Sequence, residues 1–353
     1  MTISDGGTFA MTETTPDQLS AGPKSPLNSS WALAAGVAFC VGYTALIYFL
    51  KPYMPQIDFA PDTGASHYLW KLPDPTFWSR ATAWAGYILH QATIWGMIYY
   101  AQNNKLSYTK GLHPINVLIL GANALFVLLH LMQTHVWYDG TAQDTHIMTS
   151  QGSVVIMLVM ILIMENKRRG LAFGKSIGFL AEPGRALRKY HGYIFSWAVI
   201  YTFWYHPMET SVGHLMGTFY TCMIMLQGSL MFTRAHVNKY WTVTLEFFVV
   251  IHGTIVALMQ GNGQWGMFAF GFLAMFVITQ MHGLGLKRWL RWAFIGAYLG
   301  AIGIVYGGRG WQTLGEIPRV PAVEYALVFI FGAMIWLGMW GLARFTGTDR
   351  ARG

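Results

Sequence analysis

Apolar runs of about twenty residues recur along nearly the whole 353-residue chain, and nothing else in it limits the fold so sharply. A helix rises about 1.5 Å per residue, so a run of that length crosses the roughly 30 Å hydrocarbon core of a bilayer. Only 11% of residues are charged; an ordinary soluble domain carries about 25%. Nothing alternates with period two over ten-residue blocks, which argues against a transmembrane β-barrel. The expected fold is all-α: a polytopic transmembrane bundle of roughly ten spans.

Runs between charged breaks place spans at about 31–50, 79–100, 115–138, 149–164 and 190–206. Five more follow at about 211–233, 241–260, 265–283, 289–307 and 322–343. Residues 1–30 are polar, rich in Ser, Thr, Pro and Gly, and read as a disordered tail. The bundle occupies 31–343, and 344–353 form a second tail. No small-residue cleavage pattern follows the first apolar run, so it reads as a retained span. Cys40 and Cys222 both fall inside spans and read as small apolar packers.

Lys and Arg set the orientation. The connection 165–189 is the most basic segment. Lys105 and Lys110, Arg234 and Lys239, Lys287, Arg288 and Arg291, and the C-terminal arginines fall on the same side if every run crosses once. Loops 139–148, 207–210 and 261–264 hold no Lys or Arg. Both termini are therefore expected in the cytoplasm of a cell with this chain in its inner membrane. The net charge of +8 follows from topology and needs no nucleic-acid partner.

The twelve histidines are the chemical signal. Ionisable groups in a membrane are costly and usually mark a site or a pathway. One set lies towards the outer face: His130, His135, His146, His206 and His214, with Glu209, Asp139 and Asp144 beside them. Imidazole with carboxylate suits copper, iron or zinc. Histidine at an interface can equally be solvated and bind nothing. His130 and His135 are five residues apart, about 140° around a helix, so they share no single ligand face. A second pair, His90 and His252, falls near the centres of spans two and seven, where two facing imidazoles suit haem b or an interhelical hydrogen bond. His191, His236 and His282 border the basic edge and read as interfacial structure. Glu246 lies inside span seven and must be paired, protonated or facing water, which makes it a candidate for a proton path. Met132, Met148, Met208 and Met216 near the outer histidines are candidate soft ligands, though methionine also packs adaptably. There is no P-loop, dinucleotide fingerprint, nucleophile elbow or desaturase-type histidine box.

In order, the chain carries GYILHQ around His90, the histidines His130 and His135, then Asp144 and His146, then Gln227, Gly228 and Ser229, then His252. This order resembles a His-rich integral-membrane family that includes the human transmembrane protein forty-five paralogues, over spans two to seven. The family's paired histidines are closer together, and an aromatic residue usually follows its Gln-Gly-Ser element where this chain has Leu230 and Met231. The resemblance implies a His-lined bundle. Three functional readings follow from the residues. The first is a metal or haem protein with redox, oxidase-like or electron-transfer chemistry near the outer face, working with a quinone or other electron carrier. The second is a transporter or channel-like bundle whose His and Glu groups couple to protons. The third is a structural partner of other membrane subunits, with the histidines serving only packing.

Overall fold

The computed structural model describes residues 27–61, 67–261 and 263–346. All but the last four residues of the expected N-terminal tail, and residues 347–353, lie outside it. Ten α-helices run through the described residues: α1 (Ser29–Leu50), α2 (Phe77–Asn103), α3 (Pro114–Val136), α4 (Ile147–Arg169) and α5 (Ala181–Tyr205). Then come α6 (Val212–Ser229), α7 (Lys239–Met259), α8 (Trp265–Ile278), α9 (Arg288–Arg309) and α10 (Arg319–Thr346). Six stretches, containing α1, α3, α4, α7, α9 and α10, are long and apolar enough to cross a membrane. Much of their surface faces outward. Phe49 is 72% exposed, Ile304 81% and Leu342 65%, and α9 buries only Tyr306. Water would penalise so much exposed apolar surface, whereas lipid would not.

The helices start and stop for local reasons. Thr76 and Ser79 form a capping box that opens α2. His146 caps α4 by accepting the Met148 N–H on Nδ1, and Gly170, at φ 76°, closes that helix. The clearest departure from the expected spans is at α5, which begins at Ala181 and not near 190. Pro183 and Gly184 look like a break in sequence, but proline fits the first turn of a helix. Gly184 also lets α5 approach α4: a Cβ there would sit 2.8 Å from the Ile163 carbonyl oxygen. The charged first turns carry no apolar signal, so hydropathy misses them.

The bundle has two chemically different ends. At one, Asn28 pairs with Gly111, Thr109 with Thr233, and the Phe173 N–H donates to the Ile278 carbonyl. These are the Lys- and Arg-bearing connections. At the other, Gln143 bonds the backbone of Leu72, Arg80 pairs with Asp144, and the Tyr138 hydroxyl donates to Glu209. Asp139, Asp144 and Glu209 gather there with His130, His135, His146, His206 and His214. Between the ends, α5 runs through the centre against α2, α4 and α6. The largest apolar core joins α1, α2, α3, α5 and α6, and a second joins α4, α10 and the start of α5. Helices α2, α5 and α6 are not among the six apolar stretches, and they carry His90, His191 and His214. A helix wrapped by neighbours can afford polar side chains.

Candidate functional site

Both ring nitrogens of His90 are taken by protein. Trp204 Nε1–H can only donate, and it reaches His90 Nδ1 at 3.1 Å. His90 Nε2–H must then donate to Asn123 Oδ1 at 2.8 Å. Asn123 in turn donates to Ser229 Oγ at 2.9 Å, and Ser229 to the Met225 carbonyl at 2.7 Å. The ring stacks on Phe126 at 4.5 Å. Gly86 makes room, because a Cβ there would run into the Trp204 ring. The haem role expected of His90 with His252 is therefore not the arrangement found: His90 keeps no lone pair for a metal. His252 lies against Gly217, with its buried Nδ1 unpartnered among the described residues.

His130 extends the same line. Its ring stacks on Trp204 at 4.1 Å, and its Nε2–H donates to the His206 carbonyl at 2.8 Å. At the far end, the Tyr68 hydroxyl sits 2.9 Å from His206 Nδ1 and 2.9 Å from His214 Nε2. Ser211 Oγ holds His214 Nδ1 at 2.7 Å, and Trp70 meets the His214 ring edge-on at 4.3 Å. Tyr68 lies in the connection before α2, which no span-based reading singles out. The other outer candidates go elsewhere. His135 Nδ1–H donates to Leu131 O in its own helix at 2.8 Å, and His146 is exposed and caps α4. Glu209 accepts from Tyr138 at 2.7 Å and from the Thr210 N–H at 3.1 Å. No group of three or more His, Cys, Asp or Glu among the described residues could hold a metal ion. The outer set is thus a hydrogen-bonded network.

Glu246 is paired. Arg169 Nη1 donates to both of its carboxylate oxygens, at 2.9 and 2.7 Å, with the Arg169 side chain fully buried. The partner sits at the end of α4, a helix the sequence cannot connect to α7.

A cavity of about 930 Å³ lies at the basic end. Its depth is aliphatic, lined by Ile94, Ile98, Ile119, Met157, Ile200, Ile224 and Leu245. Its mouth carries Lys105, Arg168, Arg188, Lys189 and Lys239, against Glu165 and Glu246. His191 and His236 face each other there, with ring centres 6.2 Å apart and ring planes 36° from parallel. His191 Nδ1–H donates to the Arg188 carbonyl at 2.8 Å, and His236 Nδ1–H to the Gln227 carbonyl at 2.7 Å. A carbonyl can only accept, so each neutral ring carries its proton on Nδ1 and its lone pair on Nε2. Neither Nε2 has a hydrogen-bond partner among the described residues. Burial pushes His236, in the turn between α6 and α7, down to about 4, offset in part by the Gln227 bond. The ring is therefore neutral near pH 7. Gln227 clamps it once more, donating from Nε2 to the His236 carbonyl at 2.8 Å, and is itself held by accepting from Trp241 Nε1 at 2.6 Å.

These two histidines were expected to be interfacial structure. The signal that could have raised them is the Gln227-Gly228-Ser229 element, nine residues before His236 at its first position. Gly228 lines the cavity, Ser229 ends the His90 relay, and Gln227 orients His236. No protein-family model, curated protein or solved structure matches the chain.

One titratable group at the histidine end gives a sharp test. Burial raises the Asp139 carboxyl from an ordinary value of 3.8 to about 6, against opposing bonds from Gly140 N–H and Ser79. Between those two values the folded chain keeps a proton that the unfolded chain has lost. The stabilisation is complete below 3.8 and disappears as pH rises through about 6. Thermal unfolding in detergent, compared with Asp139→Asn, should show the wild type losing its relative advantage between about pH 4 and 7. A difference that stays flat, or that grows with pH, would contradict this.

Proposed function

We propose that the chain is a multi-pass protein of the inner membrane that holds a b-type haem between His191 and His236 and carries electrons. One observation carries the reading: two oriented imidazoles with free Nε2 lone pairs, 6.2 Å apart, at the mouth of the 930 Å³ cavity. An iron ligated on opposite sides by two imidazoles sets their ring centres roughly 6 Å apart, from metal–nitrogen bonds of about 2 Å and the half-width of each ring. Tying Nδ1–H to a backbone carbonyl is the usual way a protein orients a ligand histidine. The aliphatic depth suits a macrocycle, and Lys105 and Lys189, which have no acidic partner among the described residues, suit its carboxylates. The volume falls within the range of about 300–1,000 Å³ common for cofactor sites.

With His191 and His236 as its two protein ligands, a haem there would supply a one-electron couple. Electron exchange with a quinone or similar carrier fits that better than oxidase chemistry. The runner-up is a transporter for an amphipathic anion, because a basic mouth above an aliphatic chamber suits a charged headgroup on a hydrocarbon tail.

A reduced-minus-oxidised visible spectrum of the detergent-purified protein separates the two. The haem reading expects b-type bands in the wild type and in His135→Ala, reduced more than about tenfold in His191→Leu and His236→Leu, since losing one ligand leaves the iron sphere incomplete. A featureless wild-type spectrum, or bands that survive both leucine variants, would favour the transporter.

The proposal also sets the basic end, with both termini, in the cytoplasm. The native cysteines are 2% and 4% exposed, so labelling background is low. Met148→Cys should react with an impermeant reagent from outside intact cells, and Ser176→Cys should not. The reverse pattern would invert the topology.

A further inference from the structure

A second, much smaller void of about 10 Å³ lies beside the Arg169–Glu246 pair. It is bordered by Arg169 from α4, Glu246 from α7, Glu324 from α10 and Gln280 from the turn after α8. Arg169 spends Nη1 on Glu246, while its Nε and Nη2 are buried without partners among the described residues, as is Gln280 Oε1. Glu324 is 7% exposed and receives no hydrogen bond from the described residues. The hydroxyl of Tyr325, the next residue along the chain, is committed to the Leu171 carbonyl and Thr279.

The charge count decides what this cluster does. One guanidinium faces two carboxylates in apolar surroundings. Arg169 already gives two bonds to Glu246, so an ionised Glu324 would be a buried charge with no direct partner. Such a charge costs several kcal/mol, and a carboxylate meets that cost by binding a proton. The void is at the lower limit for one water, about 10–15 Å³, and the unpartnered Arg169 and Gln280 atoms supply the polar contacts a water needs.

We propose that Arg169, Glu246 and Glu324 form an internal proton-binding site in which Glu324 holds the proton and Glu246 opens the site to the large cavity. Glu246 borders both cavities, so it is the only member able to relay a proton between them. Transfer breaks the O–H bond at Glu324 and forms one at Glu246, moving one positive charge towards the cavity. The Arg169 guanidinium then faces the newly ionised Glu324, so the cluster's net charge is unchanged. The site stands whether or not the cavity holds a haem.

Infrared spectroscopy of the purified full-length chain near pH 7 reads the proton directly. Wild type minus Glu324→Gln should contain a carboxylic-acid carbonyl band that shifts in D₂O, and Glu209→Gln should leave that band in place. Glutamine mimics the protonated acid, so Glu324→Gln should also unfold at nearly the wild-type temperature. Absence of the band, or its survival in Glu324→Gln, would overturn the assignment. A large loss of stability in Glu324→Gln would do so too, since that is the mark of an ionised Glu324 bound to Arg169. None of these outcomes depends on the visible spectrum, so this proposal and the haem proposal fail separately.

Discussion

The hydrogen bond from Trp204 to His90 joins α5 to α2 in the middle of the bundle, and much of the interior is arranged around it. It fixes the His90 tautomer, which fixes the donor to Asn123, which fixes the donor to Ser229. Four helices are thereby held in one register, and no polar atom along the line is stranded. The requirement behind this is general. A buried polar group without a partner costs about 1–3 kcal/mol, and each link removed would strand the next. The same Trp204 ring supports His130, whose bond to the His206 carbonyl continues the line to Tyr68. Asn123 also borders the large cavity, so one polar path runs from the histidine end to the cavity wall.

The two ends divide the chemistry. At the histidine end, His130, His206 and His214 bond to Tyr68, Ser211, Gln133 and a backbone carbonyl, and Asp139, Asp144 and Glu209 are held by Ser79, Arg80, Trp84 and Tyr138. At the basic end, two imidazoles are oriented by backbone carbonyls, and their remaining nitrogens have no hydrogen-bond partner among the described residues. A histidine whose hydrogen bonds use both nitrogens is structure. A histidine held by one nitrogen beside a cavity is available for binding.

Much of the architecture could be read from hydropathy, because a helix in an apolar solvent must bury its backbone polarity within itself. Each expected span overlaps one observed helix, and the misses fall at charged ends such as Glu182 to Lys189 in α5. The requirement that Glu246 be paired or protonated was legible too, but not its partner. Arg169 lies 77 residues away, and only helix packing joins them. The pairing of His191 with His236 was hidden for the same reason: one sits in α5 and the other in the turn after α6, and spacing along the chain says nothing about that approach. His90 misled because a central position argues equally for a ligand and for a hydrogen-bonded node. What decides between them is Trp204, on a helix three elements later.

The central claim is that the His191 and His236 nitrogens converge on one iron. A cryo-electron microscopy map of the detergent-purified full-length protein tests it most directly. The account predicts a flat density the width of a macrocycle between the two rings, with arms reaching towards Lys105 and Lys189. A cavity filled by a flexible, tail-like density, with the two rings in direct contact, would contradict it.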